Sequence, residues 1–82
     1  MTPEQATRAI SEALTRVAPD ADVGGLAPGD DLRDALELDS LDFLAFVEAL
    51  SDRIGRRIDE DDYPKLATLG SARDFVAART GG

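Results

Sequence analysis

Residues 40–54 read Ser-Leu-Asp-Phe-Leu-Ala-Phe-Val-Glu-Ala-Leu-Ser-Asp-Arg-Ile, and this segment constrains the fold more than any other. Phe43, Phe46, Val47, Leu50 and Ile54 recur at intervals of three and four, which places them on one helix face. Leu41 and Leu44 lie towards the edge of that stripe, and Ala45 and Ala49 leave little of the helix strongly polar. Such a helix is buried on more than one side or carries an interface. Asp39 stands at an N-cap position, and Gly55 follows as a natural helix stop. The chain has 82 residues, so its core is small and few apolar residues can be wasted.

The other segments supply partners for this helix. Thr2-Pro3-Glu4-Gln5 is a helix start, with Thr as cap, Pro at the first helical position and Gln completing a capping box. Ala6, Ile10, Ala13, Leu14 and Val17 then share a face, and Pro19 ends the helix, so the expected range is 3–17. Residues 18–38 hold Pro19, Gly24, Gly25, Pro28 and Gly29 and read as a long connection. Val23, Leu26, Leu32, Leu36 and Leu38 would pin it to the core, with one helical turn at residues 31–36. Asp59-Glu60-Asp61-Asp62 favours a helix N-terminus, and Pro64 keeps that helix short, about 60–65. Thr68 would cap a last helix, about 69–79, with Leu69, Ala72, Phe75 and Val76 inside; Thr80-Gly81-Gly82 should fray. The expected fold is all-α, a small four-helix bundle in a single domain spanning 1–82. It has three main helices, one short helix and a long loop between the first and second main helices.

Composition narrows the function. There are 17 acidic and 9 basic residues, a net charge of −8, and no Cys, His or Trp. The chain therefore offers no thiolate nucleophile, no imidazole base and no Cys or His metal ligand. A carboxylate-based hydrolase remains chemically open; it would need a carboxylate pair with a raised pKa in a cleft. The acidic balance argues against nucleic acid and against an anionic membrane, and favours partners with basic patches. No apolar run is long enough to span a bilayer, and the N-terminal residues show no secretory pattern, so a cytoplasmic monomer is expected. The acidic runs lack the alternating ligands and central Gly of a calcium loop, so no metal site is expected.

Asp39-Ser40-Leu41 sits where the long connection enters the apolar helix. On its own, Asp39 is a cap, with Asp42 three residues on as an acidic capping box. Under that reading the chain is an acidic helical interaction adaptor with no prosthetic group. The wider pattern says more. Leu36-Glu37-Leu38-Asp39-Ser40-Leu41, the capped first helix, the pinned loop, Ile58-Asp59-Glu60-Asp61-Asp62 and Leu66-Ala67-Thr68-Leu69 together resemble the acyl carrier protein family over roughly residues 3–79.

The resemblance implies that Ser40 carries 4′-phosphopantetheine on its hydroxyl oxygen, with acyl groups held as thioesters on the arm's thiol. It implies a non-catalytic carrier serving fatty-acid, polyketide or specialised acyl transfer. The implied partners are a phosphopantetheinyl transferase and acyltransferases, ketosynthases or acyl-ligases with basic docking patches. Residues 30–62 hold 12 acids and four bases, so the whole net charge flanks the site. Asp39, Asp42, Glu48 and Asp52 are the expected partner-facing acids, with Leu41 and Leu44 as apolar contacts beside them. Phe43, Phe46, Val47, Leu50, Ile54, Leu66 and Phe75 are candidates to line an acyl chain inside the bundle; plain core is the default reading for each, and their helical spacing does not separate the two. Ala45, Glu48, Phe43 and Glu37-Leu38 depart from the residues common in the family. These departures point to a specialised or polyketide pathway as readily as to general fatty-acid synthesis. Leu38-Asp39 stands where peptidyl carriers show Gly-Gly, which disfavours that branch.

Overall fold

The computed structural model describes residues 2–80, with the side chain of Thr80 outside that description. Helix α1 spans Pro3–Val17, α2 Leu32–Ala35, α3 Ser40–Ile54 and α4 Leu69–Thr80. The capping box at the start of α1 forms: Gln5 N–H donates to Thr2 Oγ1 at 3.1 Å, and Thr2 N–H donates to Gln5 Oε1 at 3.0 Å. These bonds satisfy two of the donors that a helix start leaves without partners. Gly55 ends α3 with φ +67°, a left-handed conformation that glycine adopts without a Cβ clash. Gly81 and Gly82 lie outside the described residues, so the expected fraying there is outside them too; α4 itself includes Thr80.

α1 packs against both α3 and α4. It contributes Ala6, Ala9, Ile10, Ala13 and Leu14 to the core, and its alanines let the neighbouring helices approach closely. α3 contributes Phe43, Phe46, Val47, Ala49 and Leu50. From α4 come Leu69, Ala72, Phe75 and Val76, as the spacing predicts. Ile10, Leu14, Leu32, Phe46, Leu50, Leu66 and Val76 are fully buried, each stabilising the fold by about 1.5–3 kcal/mol before entropy is counted. The Arg53 guanidinium pairs with the Glu12 carboxylate, joining the end of α3 to α1.

The long connection is more structured than its glycines and prolines suggest. Val23–Gly25 forms a 3₁₀ turn, with Gly25 N–H donating to Asp22 Oδ1 at 3.2 Å. α2 is the expected helical turn, capped by Asp31, whose Oδ1 accepts from Asp34 N–H at 3.0 Å. Leu32 and Leu38 are buried, and Val23, Leu26 and Leu36 pack half-buried on the core. Backbone bonds stitch the connection to the start of α4. Leu32 N–H donates to Ala67 O at 2.8 Å and Gly70 N–H to Pro28 O at 2.8 Å, and an isolated antiparallel bridge pairs Asp31 with Thr68. A Cβ on Gly70 would sit 3.1 Å from Pro28 O, so the absence of a side chain permits this approach.

The short helix at Glu60–Leu66 is a 3₁₀ helix and runs one residue beyond the expected 60–65. Pro64 lies inside it and lacks an N–H, which keeps the helix short. Thr68 caps α4 as expected, its Oγ1 accepting from Ser71 N–H at 3.2 Å.

Candidate functional site

Ser40 is the first residue of α3, and it is exposed. Asp39 is the N-cap: its Oδ1 accepts from Asp42 N–H at 2.8 Å, and its carbonyl accepts from Phe43 N–H at 2.9 Å. The N–H groups of Ser40 and Leu41 have no intrahelical acceptor, as at any helix start. The partial positive charge of the α3 terminus therefore lies beside the Ser40 hydroxyl.

Helix periodicity decides what surrounds that hydroxyl. Phe43, Phe46, Val47 and Leu50 turn into the core, and Ser40, Leu44 and Glu48, spaced by four, run along the exposed edge beside that stripe. Leu41 is 77% exposed and Leu44 42%, and they are the exposed large hydrophobics among the described residues. Glu48 and Asp52 are exposed on the same side. Asp42 is half-buried and lies with Ala45, Glu48 and Ala49 along a shallow depression against Arg16 and Val17 of α1. Of the six residues expected to face partners, Leu41, Leu44, Glu48 and Asp52 thus share the open side of α3 with Ser40. Asp39 is engaged as the cap, and Asp42 sits towards α1.

On the other flank of Ser40 lies a groove of about 450 Å³, lined by Asp31, Arg33, Ser40, Phe43, Leu44, Tyr63, Pro64 and Ala67. Arg33 reaches over from α2: its Nη2 donates to Ser40 Oγ at 3.4 Å, and its guanidinium carbon stands 5.6 Å from the centre of the Phe43 ring. Tyr63 meets Phe43 edge to face, with ring centres 5.8 Å apart and planes at 79°. Phe43 is the member of the expected acyl-lining set that borders this groove. Phe46, Val47, Leu50, Leu66 and Phe75 are buried in the common core, and Ile54 packs half-buried against it.

Reading the sequence alone does not single out Arg33 or Tyr63. The signal for Arg33 is its position among Asp30, Asp31, Asp34, Glu37 and Asp39, the one cation in an acidic approach to the serine. Tyr63 is the chain's single tyrosine, and only the 3₁₀ helix brings it to Phe43. Within the acidic run after α3, Asp62 is tied up internally, bonded to Arg79 at 3.2 Å and close to Lys65 at 3.6 Å. Asp59 pairs with Arg57 at 3.4 Å. Among the described residues no group of three or more carboxylates is placed to hold a metal ion.

Comparison with known proteins agrees with this geometry. The family model for the phosphopantetheine attachment site matches residues 5–78. The chain is 33% identical over 79 residues to the acyl carrier protein of Acidothermus cellulolyticus, covering 94% of this chain and 90% of that protein. It is 42% identical over 41 residues to the acyl carrier protein of Lactobacillus johnsonii, covering 50% of this chain and 51% of that one. Among solved structures, the acyl carrier protein from Enterococcus faecalis superposes with a TM-score of 0.76 at 26% identity, over 95% of this chain and 98% of that one. The chain belongs to the acyl carrier protein family, helical-bundle carriers whose cofactor is covalently attached 4′-phosphopantetheine.

Proposed function

We propose that Ser40 is the attachment residue for 4′-phosphopantetheine and that residues 1–82 form one carrier domain. The observation that carries this reading is the exposed Ser40 hydroxyl at the first position of the fifteen-residue α3, with the Arg33 guanidinium at 3.4 Å. The residues present fit the group. A phosphodiester at Ser40 meets the positive end of a helix and a cation, and the hydroxyl is open to a modifying enzyme. The bound group supplies a terminal thiol that holds acyl chains as thioesters, chemistry that a chain without Cys cannot supply itself.

The chain's own residues position and present; they do not catalyse. Leu41 and Leu44 give an apolar spot next to Ser40, with Glu48 and Asp52 beyond it. That combination suits enzymes with a basic rim around an apolar pocket, because the charges steer the encounter and the leucines hold the docked complex. The partners of this reading are a phosphopantetheinyl transferase and acyltransferases, ketosynthases or acyl-ligases. They act in the cytoplasm, in fatty-acid, polyketide or specialised acyl transfer.

The test is incubation with coenzyme A and a broad-specificity phosphopantetheinyl transferase, followed by intact mass measurement. The expected result is a gain of one phosphopantetheinyl group in the wild-type protein and none in Ser40→Ala. A wild-type protein that gains no mass, or a Ser40→Ala variant that still does, overturns the assignment.

A further inference from the structure

We propose that Arg33 is a positioning residue for the phosphate on Ser40, clamping the phosphodiester towards the groove side of α3. This rests on Ser40 being the attachment residue. In the phosphodiester, Ser40 Oγ becomes a bridging ester oxygen, and the two non-bridging oxygens carry the negative charge two bonds further out, through the phosphorus. The Arg33 guanidinium already reaches within 3.4 Å of Oγ, so those oxygens fall within its span. A guanidinium presents a planar fork of donors that matches two phosphate oxygens at once, and the bond is charge-assisted.

Three features hold Arg33 ready for that contact. First, its guanidinium rests over the Phe43 ring at 5.6 Å, which restrains a long side chain that would otherwise be mobile. Second, it projects from α2, whose first residue is bonded through Leu32 N–H to Ala67 O, so the platform beneath it is fixed. Third, it is not neutralised. Among the described residues it makes no ion pair despite the many acids near it in sequence; Arg8, Arg16, Arg56 and Arg73 make none either, and of these unpaired cations Arg33 is the one bonded to Ser40. A cation held beside a serine and left without a carboxylate is matched to an anion that arrives on that serine.

Direction follows from placement. Arg33 and Phe43 lie on one flank of Ser40, and Leu41 is exposed elsewhere on the helix. A phosphate clamped towards Arg33 would put the base of the arm on the groove side, which Phe43, Tyr63 and Pro64 line. Leu41 and Glu48 then remain clear for a docking enzyme.

The test uses the protein loaded from coenzyme A, as wild type, Arg33→Ala and Arg33→Lys, with loading checked by intact mass. The readouts are the ³¹P resonance of the phosphodiester and the Arg33 Nε–H resonance in apo and loaded protein. In wild type, the ³¹P shift is expected to differ from that of the same protein unfolded in urea, and the Arg33 Nε–H to move on loading. In Arg33→Ala, the ³¹P shift moves from the wild-type value towards the unfolded one while the backbone amide spectrum stays folded. Arg33→Lys falls between, because it keeps the charge and loses the fork. Loaded wild type and Arg33→Ala with the same ³¹P shift, or an Arg33 Nε–H that does not move, overturn the clamp and leave the Ser40 assignment standing. Failure of every variant to gain mass overturns both.

Discussion

Asp39 Oδ1 accepts the backbone N–H of Asp42 at 2.8 Å, so the residue before Ser40 closes the first turn of the helix that Ser40 begins. Asp39 is thus the cap and, in the proposed docking, also a partner-facing charge, and two substitutions separate these. Asp39→Ala removes the cap and is expected to cost about 1 kcal/mol of stability. For a domain of this size that lowers the thermal midpoint by roughly 4–8 °C. Asp39→Asn keeps an acceptor oxygen and drops the charge, so its melting curve should overlay wild type while its rate of loading by a transferase falls. Equal melting curves for Asp39→Ala and wild type would show that the cap contributes nothing.

Glu37 adopts φ +54°, a left-handed conformation, three residues before Ser40. A side chain there costs about 1–2 kcal/mol, against the roughly 0.5–1 kcal/mol of extra chain entropy that glycine loses on folding. Since Glu37 is exposed, little packing is lost with it. Glu37→Gly is therefore expected to stabilise the fold by about 0.5–1 kcal/mol, read as a higher urea midpoint at unchanged slope. A lower midpoint would mean the Glu37 side chain makes a contribution larger than the strain.

Leu41 is 77% exposed, so truncating it leaves the core intact. Leu41→Ala should melt with wild type, yet reduce transferase kcat/KM about tenfold, the loss expected when about 1.4 kcal/mol of apolar contact is removed from a docked complex. A parallel series at rising ionic strength should slow loading of both proteins by the same factor, because salt screens Glu48 and Asp52 and not the leucine. Unchanged kcat/KM in Leu41→Ala would remove this residue from the docking face.

Phe46 is fully buried at the centre of the α1–α3–α4 core, 6.0 Å ring to ring from Phe43. Phe46→Ala should cost about 3–5 kcal/mol. That is a large share of the roughly 5–15 kcal/mol available to a folded domain. Circular dichroism with a thermal ramp should show a broad, low transition. A sharp transition near the wild-type midpoint would mean that the core repacks around the gap.

Much of the architecture is legible in the sequence because its signals are local. The Thr2–Gln5 box, the Asp39 cap, the Gly55 stop and the Thr68 cap all act within a few residues, and each forms as its residue types dictate. The spacing of Phe43, Phe46, Val47 and Leu50 identifies the buried face of α3, and Leu41, which the same spacing puts at the edge of that stripe, is exposed. What stays hidden depends on contacts between distant segments. The seating of Tyr63 against Phe43 and the bond from Gly70 to Pro28 have no periodic signature. Nor does periodicity distinguish a buried side chain from one that borders a groove. Phe43 and Phe46 read alike, yet Phe43 lies beside Ser40 and Phe46 does not.

The bonds from Leu32 to Ala67 and from Gly70 to Pro28 also bear on how the protein breathes. They join segments that lie far apart along the chain, so neither amide can be released by fraying a helix end. The connection must lift off α4 as a sheet of bonds, carrying α2 and its Arg33 with it. In hydrogen exchange, the amides of Leu32 and Gly70 should therefore open together with one protection factor, as a single cooperative unit. The loop that sequence makes look slack is then the hinge plate on which the entrance to Ser40 is mounted.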